Sequence, residues 1–266
     1  MKNNISVLTT VANFDLYKKS SVLFPLNCEK YIIDGTNGMH GIHSILFMMK
    51  KLKGKGIDWL IMADEDVIFI NPHSVFDIID EMKAKQITVC GVRDGGMVSH
   101  RKQSPFVINT FFSIVNFKEI ESIWNESEIL ENQFVKKNEF SDDCSNLLYD
   151  FDVKSIYEPY YCFYFWLRRQ GKKILFLDSK MDDDSISNYV FYNNKEILCH
   201  TWYARSYGVN ETHTNRIERI FKKLNFEDSV TSKTIIFKDK TFFIKQTMSK
   251  LYKIIEMKIK KSKNSF

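Results

Sequence analysis

Short apolar runs alternate with amphipathic stretches along most of the chain. Residues 41–56 and 71–85 place apolar side chains three and four positions apart, and this spacing predicts helices. The apolar runs between them are typical of buried strands, and they lie at residues 5–13, 30–37, 57–63 and 86–94. Strands that alternate with helices predict an α/β domain with a largely parallel sheet.

The second half of the chain continues the pattern less regularly. We predict strands at residues 104–117, 174–179 and 195–208, an acidic amphipathic helix at 118–130 and an aromatic-rich helix at 158–173. After residue 230 the pattern changes to a lysine-rich segment. The sequence therefore predicts a catalytic domain over residues 1–230 and a basic amphipathic C-terminal tail over 231–266.

Composition and charge narrow the function classes. The chain has 266 residues, of which 44% are hydrophobic, so a sizeable core is available. Five scattered cysteines without C-x-x-C spacing, no secretory signal and no long apolar run predict a cytoplasmic protein. Residues 238–263 hold nine lysines and two acids, a net charge of +7. Because the whole chain has a net charge of +5, the remaining residues have a net charge of −2. This distribution does not favour a nucleic-acid partner.

Three consecutive acids follow the predicted strand at residues 57–63. Asp64 and Asp66 are two positions apart, so an extended backbone points both carboxylates to one side while Glu65 faces elsewhere. Ligands of α/β proteins bind beyond the carboxyl ends of strands, and two carboxylates there suit Mg²⁺ or Mn²⁺. The alternative is a helix N-cap or a solvated turn.

Several sequence blocks, in this order, resemble one enzyme family. They are SVLTTVAN, YIIDG, WLIMADEDVIFINP, PFVINTFFSIVNF and CHTWYARSYG. Together they are similar to the glycosyltransferases of the GT-A fold, which use nucleotide sugars and carry a metal-binding D-x-D motif. The resemblance implies a Rossmann-like mixed sheet flanked by helices. The chain departs from the family pattern at Phe111, where the "N-T/A-G" motif has glycine.

The resemblance also implies roles for individual residues. A divalent cation, Mn²⁺ or Mg²⁺, would be held by Asp64, Asp66 and His200. Thr10, Val11 and Asp34 would contact the base and ribose of the donor, and Arg205 would pair with its phosphates. Asn109 would meet the donor sugar. Each residue has a plainer alternative, namely a structural histidine, a turn-capping aspartate, a surface ion pair or a polar interruption of a strand.

The general base is assigned from chemistry alone. An inverting enzyme needs a carboxylate near the acceptor hydroxyl, and the candidates are Glu158, Asp143 and Asp142. Each could instead cap a helix. A retaining enzyme needs no such base, and a late metal-binding histidine favours the retaining class slightly.

The resemblance implies a hexosyltransferase that moves a sugar from a UDP-sugar to a glycan or lipid-linked glycan, as in lipopolysaccharide or capsule synthesis. Apolar residues stand at helical spacing among the lysines of the tail. This pattern favours contact of the tail with the anionic inner face of the membrane. One rival function is a nucleotidyltransferase acting on sugar phosphates, but this chain lacks the glycine-rich loop that such an enzyme needs. The other is a binding module with a degenerate site.

Overall fold

The computed structural model describes residues 4–224, 234–244 and 246–247. Ten strands within them form one mixed sheet in the order β10-β2-β1-β3-β6-β5-β7-β8-β9-β4. The strands are β1 (Ile5–Val11), β2 (Glu29–Asp34), β3 (Trp59–Ala63), β4 (Val67–Phe69), β5 (Val89–Arg93), β6 (Ile108–Asn116), β7 (Ile174–Met181), β8 (Asn188–Tyr192), β9 (Lys195–His200) and β10 (Thr234–Phe237).

Strand direction decides which residues meet at one edge of the sheet. Strands β10, β2, β1 and β3 are parallel, as are β5 and β7, whereas β6 runs antiparallel to both β3 and β5. The start of β6 therefore lies at the same edge as the ends of β3 and β5. Asn109 and Thr110 come close to the acids after β3 for this reason, since Ala63 pairs with Phe112.

Helices cover both faces of the sheet, so the predicted α/β architecture, a mixed sheet flanked by helices, is confirmed. Apolar side chains of α2 and α6 pack on one face, and those of α3 pack on the other. Every side chain from Tyr161 to Leu167 in α6 is buried, which removes large apolar areas from water. The helices are α1 (Phe14–Ser20), α2 (Ile42–Leu52), α3 (Ser74–Lys85), α4 (Phe117–Ile123), α5 (Glu126–Glu131), α6 (Tyr161–Arg169) and α7 (Glu211–Lys223).

Three local features differ from the sequence prediction. The acidic helix expected at residues 118–130 is divided into α4 and α5, because the Asn125 side chain caps a new helix by accepting a hydrogen bond from the Glu128 N–H. Helix α1 was not predicted; the Asn13 side chain caps its first turn. The hairpin of β8 and β9 gives the sheet an antiparallel extension rather than the largely parallel arrangement expected.

The sheet extends past residue 230, the predicted end of the catalytic domain. Strand β10 pairs with β2, and the Phe237 ring stacks on Tyr31 with centroids 5.7 Å apart. Phe242 is buried in the core that includes α2. Residues 231–233, 245 and 248–266 of the predicted tail lie outside the described residues. None of the described helices is long and apolar enough to cross a membrane.

Candidate functional site

The pairing of β4 with β9 brings the acids and His200 together. His200 is the register partner of Val67, the residue that follows the acids. Beyond this pair, the Thr201 backbone N–H and hydroxyl both donate to the Asp66 carbonyl oxygen, at 3.0 and 3.1 Å. Two strands that are distant in sequence are thus fixed against each other at the site.

Asp66 and His200 are in direct contact. The His200 Nε2 atom lies 3.3 Å from the Asp66 Oδ1 atom, and both side chains are buried. The His200 ring stacks on Phe111 with centroids 4.1 Å apart and touches Trp202 at 4.2 Å. Its Nδ1 atom is buried without a hydrogen-bond partner in the described part of the chain. Ring packing, rather than a hydrogen bond to Nδ1, therefore orients this imidazole.

The other two acids differ in their surroundings. Burial, followed by the charges of Asp66 and Glu65, raises the pKa of Asp64 well above its usual range. Glu65 turns toward the loop after β1 and accepts hydrogen bonds from the Ala12 and Asn13 N–H groups at 2.8 and 3.0 Å. Burial and the Asp66 charge nevertheless raise the pKa of Glu65 to about 7. The site therefore concentrates negative charge that is costly to keep ionised.

A cavity of about 510 Å³ opens over these residues. It lies where the carboxyl ends of β1 and β3 meet the start of β6 and the turn after β9. Six of the predicted site residues line it together with Glu158, namely Thr10, Asp64, Asp66, Asn109, His200 and Arg205. The structure thus gathers most of the predicted site around one opening.

The donor set can be tested against a divalent cation. Among residues 4–224, 234–244 and 246–247, no group of three or more histidine, cysteine, aspartate or glutamate side chains is arranged to hold a metal ion. Asp66 and His200 alone are in contact, and Asp64 lies close enough for its pKa to respond to Asp66. Mg²⁺ often takes one or two carboxylates and completes its shell with water and phosphate oxygens. The residues fit a cation of that kind, shared with a substrate.

A second polar cluster, centred on Asp94, adjoins the cavity through Arg101, Asn109 and Glu158. Asp94 is fully buried and accepts hydrogen bonds from Arg101 Nε and Nη2 at 2.8 and 2.7 Å, from Asn109 Nδ2 at 2.6 Å and from the Tyr161 hydroxyl. Arg101 Nη2 also donates to Glu158 Oε1 at 3.0 Å. Although burial opposes it, Asp94 raises the pKa of Arg101. Asn109 and Glu158 are thus held in place by neighbours rather than standing alone.

Arg205 occupies the junction of two openings. It lines the main cavity and a neighbouring one of about 570 Å³ between the loops after β1 and β2. Its guanidinium is exposed and makes no hydrogen bond or ion pair with other residues that the structure describes. A planar cation in that position is suited to bidentate contact with phosphate.

Three predicted residues do not reach the main cavity. The Val11 side chain is buried in the core, so only its backbone is near the site. Asp34 accepts hydrogen bonds from the Thr36 N–H and hydroxyl and from Lys238 Nζ at 2.6 Å, which matches the turn-capping alternative. Although burial opposes it, Lys238 and Thr36 lower the pKa of Asp34. Asp143 is exposed and accepts a hydrogen bond from the Ser145 N–H.

Sequence reasoning missed Arg101, Trp202 and the purpose of Phe111. Phe111 departs from the family pattern, and its ring fills the space against His200. The family pattern has glycine at this position. A large aromatic side chain there could have indicated that it packs against a neighbouring ring. Arg101 gave no signal, because its partners Asp94 and Glu158 lie 7 and 57 positions away.

No protein-family model and no curated protein matches the chain. Among solved structures, a mannosyltransferase from Pyrobaculum calidifontis in complex with GDP-Man and Mn²⁺ is 10% identical over 46% of this chain and 47% of its own, with a TM-score of 0.35. Mouse xyloside xylosyltransferase 1 in its apo form is 10% identical over 67% and 86%, with a TM-score of 0.36. The glycosyltransferase GlyE of Streptococcus pneumoniae TIGR4 is 10% identical over 84% and 64%, also with a TM-score of 0.36.

The match with the mannosyltransferase spans less than half of that protein. Identities of 10% and TM-scores below 0.5 are too low to assign an activity or the roles of residues to this chain. Any function must therefore be argued from the site itself.

Proposed function

We propose that the chain is a metal-dependent glycosyltransferase that moves a sugar from a nucleotide sugar to a glycan or lipid-linked glycan acceptor. The observation that carries this proposal is the contact between Asp66 and His200, 3.3 Å apart in a cavity at the carboxyl ends of β1 and β3, with Asp64 beside them. The mixed sheet flanked by helices agrees with the GT-A fold implied by the sequence.

The cation would be Mn²⁺ or Mg²⁺, held by Asp66, His200 and Asp64. The pKa values of Asp64 and Glu65 are raised, and none of the three acids forms an ion pair with a described lysine or arginine, so a dication would relieve their repulsion. When bound, the cation would supply positive charge to the departing nucleoside diphosphate. A carboxylate and imidazole set is compatible with either metal.

The protein's own groups would bind and orient the substrates. Arg205, at the junction of the two openings, would pair with the diphosphate of the donor, which we take to be UDP-linked. Asn109 and Glu158 would face the transferred sugar from the cavity lining, where Asp94 and Arg101 hold them. Glu158 is the carboxylate available as a base if the reaction inverts, and a retaining course would use it to position the sugar.

The acceptor belongs to the glycan class, as in lipopolysaccharide or capsule synthesis. Residues 231–266 hold ten lysines and two acids, a net charge of +8 in a chain of +5, and would bring the enzyme to an anionic membrane surface that presents a lipid-linked acceptor. Loss of binding to anionic vesicles after truncation beyond residue 247, which keeps β10 and the buried Phe242, would support this part of the proposal. Unchanged vesicle binding would remove it and leave the catalytic proposal untouched.

Calorimetry with UDP, in the presence and absence of Mn²⁺, tests the central claim. We expect UDP to bind tightly only when Mn²⁺ is present. We expect Asp66→Ala to bind UDP weakly whether or not Mn²⁺ is present. Asp183→Ala, a change at an exposed acid far along the chain, is the matched control and should bind as the unmodified chain does. UDP affinity that is the same without any divalent cation would rule out the proposed metal site.

A further inference from the structure

The turn that follows β9 has an unusual backbone. Trp202 and Tyr203 have φ angles of +58° and +60°, so two consecutive residues with side chains adopt the left-handed conformation. This conformation is unfavourable for residues with side chains and persists only where the surroundings enforce it. The turn therefore depends on contacts outside itself.

Two side chains from outside the cavity supply those contacts to Trp202. Its indole Nε1–H donates to Asn188 Oδ1 at 2.7 Å, and Arg216 Nη2 donates to its carbonyl oxygen at 3.1 Å. Arg216 projects from α7 and is buried. Its Nη1 atom donates to the Ser187 hydroxyl and lies 3.6 Å from Asp184 Oδ2. One guanidinium thus ties the turn to the loop between β7 and β8.

The turn carries three groups of the candidate site. The Trp202 ring packs on His200, and the Tyr203 and Arg205 side chains line the cavity. Farther along, Asn13 Nδ2 donates to the carbonyls of Ala204 and Tyr207 at 3.0 and 2.8 Å. The segment is therefore held at both ends, by Arg216 at its start and by Asn13 beyond it.

We propose that Arg216 is a positioning residue of the candidate active site, which acts by holding the Trp202–Tyr203 turn so that Arg205 faces the donor diphosphate. The part of this proposal that concerns the donor diphosphate rests on the proposed function. The geometry requires arginine, because its fork reaches the turn and the Ser187 loop at once, whereas a lysine presents a single point charge.

The same helix offers a matched control. Arg219, three positions later, pairs with Asp182 and with Asp184 at 3.1 Å, as Arg216 does with Asp184, but it does not contact the turn. Arg216→Met and Arg219→Met therefore both remove a cation from the same acids. Only the first removes a hydrogen bond from Trp202.

The first readout needs no ligand. In ¹⁵N-labelled protein, the Trp202 indole N–H resonance, assigned by its loss in Trp202→Phe, reports the bond to Asn188. We expect Arg216→Met to shift this resonance and speed its hydrogen exchange at least several-fold, and Arg219→Met to leave both unchanged. An unchanged Trp202 signal in folded Arg216→Met would overturn the positioning role.

The second readout is affinity for UDP with Mn²⁺. We expect Arg216→Met to weaken binding roughly tenfold, as loss of an orienting partner typically does. The same change on an Arg205→Ala background should cost clearly less than it does alone, because part of the effect of Arg216 passes through the turn to Arg205. Fully additive losses would contradict the proposal.

Two further outcomes are informative. If the unmodified chain binds no UDP, the proposed function fails, while the indole signal still decides whether Arg216 holds the turn. If Arg216→Met does not fold, Arg216→Lys retains charge beside Asp184 but not the fork. A Trp202 signal in Arg216→Lys that matches the unmodified protein would then overturn the proposal, and a shifted one would support it.

Discussion

Two runs of three acids occur in this chain, and the structure treats them in opposite ways. The run Asp182–Asp184, between β7 and β8, is neutralised internally: Asp182 and Asp184 pair with Arg219, and Asp184 also lies near Arg216. Although burial opposes it, hydrogen bonds from the Ile186 and Ser187 N–H groups lower the pKa of Asp184. These acids hold helix α7 against the hairpin.

The run Asp64–Asp66 has no such partners. Within the described residues no lysine or arginine forms an ion pair with it, and the pKa values of Asp64 and Glu65 are raised instead of lowered. Acids that pair with an arginine of the same chain stabilise the fold. Acids that line a cavity without such a partner can instead bind a cationic ligand. Sequence composition alone does not separate the two.

The largest expected difference between the runs is in catalysis. We expect Asp66→Ala to lower the turnover of a nucleotide sugar by about 100-fold or more, because it removes charge stabilisation where the leaving group forms. Asp182→Ala, in the paired run, should change turnover by less than a factor of about five. Hydrolysis of UDP-sugars, followed by release of UDP, measures both. Equal losses in the two variants would abolish the distinction.

The stability of the two runs should respond with opposite sign to neutralisation. Asp184→Asn should lower the free energy of unfolding by about 1–3 kcal/mol, because buried donors lose a charged acceptor. Asp64→Asn should raise it without divalent cations, since the cost of burying a charge and the repulsion with Asp66 and Glu65 are both removed. Urea unfolding measures both, with Asp183→Asn as the exposed control. A destabilised Asp64→Asn would show that its charge is already balanced.

The features that sequence could predict are those set by local pattern. Apolar periodicity located the strands beneath the site. The expected convergence of Asp64 and Asp66 away from Glu65 stays a prediction, since all three acids line the cavity. The nearness of Asp66 and His200 was also expected, and the structure places them in contact. Their binding of a metal stays a prediction.

The features that sequence could not predict depend on contacts between distant residues. Asp34 was assigned to the nucleotide, but Lys238, 204 positions away, engages its carboxylate. Val11 alternates with Thr10 along β1, so one faces the cavity while the other faces the core. The two acid runs look alike in sequence. They differ in the structure because Arg216 and Arg219 reach the second run from a separate helix. Such pairings follow from the packing of whole elements.

The two runs should also differ in how stability depends on pH. The pKa of Glu65 is raised from 4.5 to about 7, so the folded state holds a proton that the unfolded state has lost, and stability falls as pH rises across that interval. The pKa of Asp184 is lowered from 3.8, so its contribution is present above that value and lost as pH falls through the folded pKa.

Single substitutions isolate each pH dependence. Glu65→Gln should flatten the loss between about pH 4.5 and 7, while its amide oxygen can still accept from Ala12 and Asn13. Asp184→Asn should flatten the acid side instead. Thermal unfolding midpoints, measured from below the ordinary aspartate pKa of about 3.9 to about pH 8, follow both groups. A Glu65→Gln profile parallel to that of the unmodified chain would mean that another group governs the neutral range.

The smallest expected effect concerns how His200 is oriented toward the first run. Because His200 Nδ1 lacks a hydrogen-bond partner in the described chain, the stacked Phe111 ring is the contact that fixes the imidazole plane. Phe111→Leu should weaken Mn²⁺ affinity roughly tenfold, at the lower end of the cost of removing an orienting partner. Phe112→Leu is the matched control: Phe112 is equally buried but packs on Phe69, away from His200. Equal affinities in the two variants would show that β9 alone positions His200.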